Sequence, residues 1–378
     1  MPVHLSLKKG MSIPAEKIAL GRSVMFVYVG AYTESPQGTA EGISVHQFDP
    51  ESGRLSLVQT VAGVANPSFL ALDAGQHTLY AVNELADGGV SAFSRDVETG
   101  ELTPINQQQS HGADPCYISF DPTGRFALVA NYTGGTVAVL PIGEDGSLSP
   151  ASSVIHHEGL SSVPDRQSEP HPHMIAPTPD GRFILVTDLG IDGLLLYRLD
   201  EATGQLQPSG PGALVVKTAT GAGPRHFAFS PNGRILYVIN ELNSTLTVYA
   251  YDGEAGTLEP LQTVSTLPEG FIGENDCAHV LVSPDGRFVY GSNRGHNSIA
   301  IWAAEETSGT VTPVGHESTR GKTPRNFALD PSGSWLLVAN QDSDSIVAFR
   351  RDQTSGLLTA TDEVTASPSP VAVVFASG

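Results

Sequence analysis

The chain has few of the residues that would tie it to several large protein classes. Two cysteines, Cys116 and Cys277, stand among 378 residues. They lie in different repeat units, so no disulfide framework is expected, and buried or free thiols in a reducing cytoplasm fit better. No apolar run approaches the ~20 residues a membrane helix needs, so no membrane partner is expected. Basic residues are scarce: 20 Lys and Arg face 40 Asp and Glu, a formal charge of −20. That balance argues against nucleic acid and anionic membranes as partners, and makes each arginine cluster informative. Residues 1–23 lack the apolar core of a signal peptide. They are expected to form a flexible leader, with Met1, Met11 and Met25 as alternative starts.

Glycine and proline, by contrast, are abundant, at 40 and 27. They punctuate a repeated hairpin, seen best in Gly223–Asn243. There a short alternating run, His226–Ser230, meets a Pro231-Asn232-Gly233 turn and a second apolar run, Ile235–Ile239. Related hairpins span 66–84, 114–132, 171–189, 277–294 and 323–341. The polar residue closing each second run falls at Asn83, Asn131, Asp188, Asn240, Asn293 and Asn340, spaced 47–57 residues apart. Two further extended runs follow each hairpin, giving four strands per unit. A period near 50 with four strands is the signature of a β-propeller blade. Met25–Gly30 is a second run without a first, and Ser369–Phe375 is a first run without a second. The fold expected is therefore all-β: one seven-bladed propeller over residues 24–378, its ring closed by the C-terminal strand pairing with the N-terminal blade.

The Pro-x-Gly turns lie at one end of such a ring. Strand starts and second-run ends must then converge at the other. That end collects His171, His173, Arg225, His226, His279 and Arg325 with Glu241 and Arg294. Arg125, Arg182, Arg234 and Arg287 go to the opposite, turn-bearing rim. The longest insertion, Ile155–Pro170, leads into His171 and is expected to lie over the histidine-bearing mouth as a lid or specificity loop. His171 and His173 offer two imidazoles, but no third ligand joins them at a familiar spacing, so no metal and no cofactor are expected. There is no G-x-S-x-G, no P-loop and no dinucleotide fingerprint.

Six motifs carry a family resemblance: Tyr28–Thr33, Glu169–His173, Asp188–Gly190, Gly223–His226, Asn240–Ser244 and Ser292–Ile299. In them, residues 24–376 resemble the lactonase family of seven-bladed propellers. Its members include propeller-type 6-phosphogluconolactonases and the fungal carboxy-muconate lactonizing enzyme. The resemblance implies a metal-independent catalytic set of one His, two Arg and one Glu. By motif these are His173, with His171 as the competing choice, Arg225, Glu241 and Arg294. Arg325, Asn293, Asp188 and His226 are further candidates for substrate contact. The implied activity is hydrolysis of a sugar lactone, first 6-phospho-D-glucono-1,5-lactone of the pentose phosphate pathway. The alternatives are a cycloisomerase or other lactonase acting on a dicarboxylate, and a non-catalytic scaffold. A small lactone as partner, a cytoplasmic location, and a monomer or homodimer complete the expectations.

Overall fold

A computed structural model describes residues 24–210 and 213–377, so the expected leader lies outside the described residues. Seven antiparallel sheets follow one another along the chain, and six of them have four strands. The reference hairpin shows the local logic. Strand A runs over Pro224–Phe229 and strand B over Ile235–Asn240, then C over Thr245–Asp252 and D over Thr257–Ser265. The A strand starts and the B strand ends at the same end of the sheet, with Pro224 paired to Asn240.

The turn at the other end is held by its own side chains. Asp121 accepts from the amides of Thr123 and Phe126, and Asp330 accepts from Ser332, Ser334 and Trp335. The glycine of each such turn, Gly124, Gly181, Gly233, Gly286 and Gly333, has φ between 66° and 72°. That left-handed conformation carries a steric cost for side-chain-bearing residues, which explains the recurring Pro-x-Gly. The adjacent arginines 125, 182, 234 and 287 are exposed, as expected.

The ring closes as the sequence implies. The final strand, Pro370–Ser377, pairs antiparallel with Met25–Ala31, from Met25 opposite Ser377 to Ala31 opposite Pro370. It becomes the A strand of the first blade and leaves no open inner edge there. One sheet departs from the four-strand pattern: Leu214–Lys217 adds a fifth strand beside Gly193–Asp200. Tyrosines link neighbouring blades. The hydroxyls of Tyr28, Tyr80 and Tyr290 donate to the carbonyls of Gly100, Gly146 and Gly356 in outer turns of the next blade. No helix among the described residues is long and apolar enough to cross a membrane.

The seam between first and last blades is packed like the other interfaces. Val27, Val29, Phe48, Leu55 and Val373 from the first blade meet Trp335, Leu337 and Ile346 from the last. Trp335 is 2% exposed, meets the Phe48 ring edge-on at 5.7 Å, and donates from Nε1 to the Pro50 carbonyl at 3.0 Å. Trp335→Ala removes all three contacts and leaves a cavity at the closure. It should lower unfolding free energy by about 3–5 kcal/mol, read from urea denaturation. A loss under about 1 kcal/mol would show that this seam does not limit stability.

Candidate active site

A β-bulge decides which side chains reach the channel mouth. In five A strands the register to strand B slips just after the first residue. The bulged residue in four of these, next after a proline, is Cys116, His173, Arg225 or Arg325. A bulge inserts an unpaired residue and re-aims it. All four side chains line one cavity of about 180 Å³. The residue following each B-strand closure supplies a second tier. Glu84, Tyr132, Glu241 and Arg294 line the same cavity, and Arg166 completes it.

Glu241 is the electrostatic centre. Its Oε2 accepts from Arg225 Nε at 2.7 Å and lies 2.9 Å from Arg294 Nη2, and its Oε1 accepts from Arg166. Its side chain is 4% exposed. Burial alone would raise the Glu241 carboxyl, but Arg294, Arg225, His173 and Arg166 overcome it and hold the group well below the usual carboxylate range. Arg225 is as deeply buried. Burial, then the neighbouring Arg294, pull its pKa down to about 10, so it remains a cation at neutral pH. Its Nη1 donates to the Ala278 carbonyl at 2.6 Å. Arg325 lies over the Tyr32 ring at 5.4 Å and faces Glu84 at 3.9 Å, while the Tyr32 hydroxyl donates to Glu84 at 2.7 Å.

His173 is buried, and its Nδ1 lies 3.6 Å from the Cys116 thiol. The structure puts Cys116 beside the ring and gives Glu241 to the arginines. Burial, then Arg225, lower the His173 pKa well below its ordinary value, so the ring is a neutral imidazole.

The other expected residues sit elsewhere. His171 stacks on Tyr132 with centroids 4.4 Å apart and bonds that residue's carbonyl, outside the cavity lining. Asp188 accepts from the amides of His171, Gly190 and Ile191 and faces His157 Nδ1 at 2.6 Å. Asn293 donates to the Thr266 carbonyl and to Ser298. His226 lies below the mouth, with its Nδ1 2.8 Å from His279 Nδ1. Tyr117, Phe69 and Phe327 continue this aromatic layer across the channel. None of these residues lines the cavity.

Sequence reasoning did not single out Arg166, Glu84, Tyr132 or Cys116. Aligning the residue after each A-strand proline would have found Cys116, and aligning the residue after each closure would have found Glu84 and Tyr132. Arg166 belongs to no repeat. It sits in the insertion before His171, which lies over the mouth as expected. Among the described residues, no group of three His, Cys, Asp or Glu is arranged to hold a metal.

Replacing Glu241 with Gln should strand buried guanidinium charge. We expect Glu241→Gln to cost about 3–5 kcal/mol at pH 7. Because the folded pKa is depressed, the carboxylate's contribution is complete above the ordinary value and fades as pH falls through the lowered one. The gap between wild type and variant should therefore narrow in acid. A gap that is constant with pH would sink this account.

The cavity can now be set beside known proteins. Residues 26–375 match the family described as Lactonase, 7-bladed beta-propeller. The chain is 39% identical over 350 residues to the 6-phosphogluconolactonase of Bacillus subtilis (strain 168), covering 92% of this chain and 97% of the relative. It is 36% identical over 338 residues to the 6-phosphogluconolactonase of Formosa agariphila, covering 88% and 94%. The structure of the Pseudomonas aeruginosa periplasmic gluconolactonase superposes with a TM-score of 0.88 at 36% identity, covering 93% of this chain and 99% of the other. That neighbour is periplasmic, so the fold is not tied to the cytoplasm. On matched length, strand arrangement and sequence together, this chain belongs to the seven-bladed β-propeller lactonase family.

Proposed function

We propose that the chain hydrolyses a sugar lactone, with 6-phospho-D-glucono-1,5-lactone as the favoured substrate, at the cavity centred on Glu241. The observation that carries this reading is a local reversal of charge. In a chain of formal charge −20, the cavity is lined by four guanidiniums against two carboxylates. Such a surplus fits a phosphorylated substrate and the oxyanion of ester hydrolysis. The relatives named above act on lactones by name, which favours this over a scaffold or a cycloisomerase.

The chemistry follows from what each group can do. Glu241 is held ionised by its arginines, so it is a poor proton acceptor; its role is to fix Arg225 and Arg294. His173 is neutral and lines the cavity. It accepts a proton from water as the water oxygen bonds to the lactone carbonyl carbon. Arg225 and Arg294 stabilise the resulting oxyanion. The ring C–O bond then breaks, and the proton on His173 passes to the leaving alkoxide, giving the open aldonic acid. No redox step is involved.

The direct assay is turnover of fresh 6-phosphogluconolactone and of gluconolactone, with spontaneous hydrolysis subtracted; no enzymatic excess on either removes the reading. Arg294→Ala should lower kcat by about 10²–10³-fold with its circular dichroism unchanged, as loss of an oxyanion donor does. Wild-type-like turnover by that variant would refute the role. The pH profile tests His173. Its neutral form is the base, and burial pushes its pKa down, so activity on gluconolactone should persist as pH falls past the ordinary histidine value of about 6.5. An acid limb at or above that value would assign the base elsewhere.

A further inference from the structure

Three of the four arginines around the cavity are carried on blade strands, and their commitments differ from those of the fourth. Arg225 donates to the Ala278 carbonyl at 2.6 Å, and Arg294 donates to the Cys277 carbonyl at 3.0 Å. Those backbone bonds hold the guanidiniums in place whatever occupies the cavity. Arg325 is pinned over the Tyr32 ring and faces Glu84. Arg166 alone comes from a connection between blades. The polar partners of its guanidinium are all side chains: Glu241, the Tyr132 hydroxyl at 3.4 Å and Asp276 at 3.8 Å. Its side chain is 35% exposed, against 3% for Arg225 and 14% for Arg294.

The loop beneath it is nevertheless firmly anchored. The Gln167 amide donates to the Leu189 carbonyl at 2.8 Å and to Asp192 at 2.7 Å, and Ser161 donates to the same carboxylate. Asp192 also accepts from the amides of Gly221 and Gly223, just before the strand that carries Arg225. The base of Arg166 is thus fixed relative to the cavity, while its tip can exchange partners without breaking a backbone bond.

Its position gives that exchange a direction. A second hollow of about 890 Å³ adjoins the cavity, lined by polar residues that include Asn243, Asn275, Asp276 and Lys322. Arg294 lines both spaces, and Asp276, a partner of Arg166, lines the larger one. Arg166 therefore stands at the joint between a small enclosed space that suits a sugar ring and an open polar one. Glu241 can release it: Oε2 keeps Arg225 and Arg294, and only Oε1 depends on Arg166.

We propose that Arg166 is the specificity residue for the substrate's remote anion. It leaves Glu241 to form a two-pronged contact with a phosphate monoester at the cavity entrance, while the lactone ring reacts deeper in, beside His173. A guanidinium fork matches the oxygens of a phosphate that carries about −1.5 to −2 charges near neutral pH. The proposal rests on the lactonase reading and extends it to the phosphorylated class of substrate.

The test compares wild type, Arg166→Gln and Arg166→Lys on 6-phosphogluconolactone and on gluconolactone, with thermal unfolding of each variant as a control for folding. For Arg166→Gln, KM on the phosphorylated lactone should rise about 10- to 100-fold, well beyond any change in KM that the variant shows on gluconolactone. Arg166→Lys, which keeps the charge but not the fork, should fall between. Equal losses on both lactones would make Arg166 a structural or general catalytic element, and an unchanged KM would remove it from recognition; either overturns the proposal. If wild type turns over gluconolactone alone, the lactonase reading stands and the phosphate assignment falls. If it turns over neither, both fall.

Discussion

A carboxylate taken out of water costs several kcal/mol, and a guanidinium taken out beside it costs more again. Glu241 and Arg225 are both buried at the channel mouth, so neither is tenable there alone. They stand as a pair, with Arg294 on the same carboxylate oxygen and Arg166 on the other. The four residues arrive from separate places: Arg225 and Glu241 from one hairpin, Arg294 from the next blade, and Arg166 from the insertion that leads into the preceding hairpin. The ion cluster therefore constrains how two adjacent blades and a connecting loop meet. Such clusters seldom outperform well-packed apolar side chains in stability. An acidic chain that concentrates guanidiniums in one buried place has a reason other than folding to do so, and the anionic substrate proposed above would supply it.

The propeller delivers these groups by separating two tasks between neighbouring residues. The closing asparagines serve the backbone. Asn83, Asn131, Asn293 and Asn340 donate to the carbonyls of Ala65, Ser110, Thr266 and Thr319 in the connection that enters the same blade. The next residue along points the other way and is free to vary: Tyr32, Glu84, Tyr132, Leu189, Glu241, Arg294 and Gln341. At five strand starts a bulge does the equivalent work, and four of the bulged residues reach the cavity. Eight of the nine cavity-lining residues come from these two sets of positions, and the repeat around them stays constant.

This division explains what could be read in advance. Strand count, ring closure and the choice of mouth followed from the spacing of the hairpins and the side on which their turns lie. Arg225, Glu241, Arg294, Arg325 and His173 fall at the shared mouth by their place in the repeat, and the structure brings all five to one cavity. Asp188 and Asn293 drew notice as closures, yet their side chains are taken up by turn backbone. Strand alternation alone does not say which of two adjacent residues faces the channel; the bulge and the closing bonds decide it. Cys116 and Glu84 look ordinary until every unit is aligned. Arg166 has no repeat to align with, and only the fold of the Ile155–Pro170 segment brings it to Glu241.

The imidazoles below the mouth complete the electrostatic picture. Arg225 only donates, so His226 Nε2, 3.3 Å from its Nη1, must accept. The His226 proton then resides on Nδ1 and is donated to His279 Nδ1, 2.8 Å away. Both rings are neutral in this arrangement, and protonating either would set a second positive charge close to Arg225. Burial and Arg225 lower both, His279 to about 3. The channel floor consequently adds no charge near neutral pH. The positive surplus above it is set by arginines, which do not titrate there, so that surplus stays constant while the phosphate of the proposed substrate would pass through its second ionisation at about pH 6.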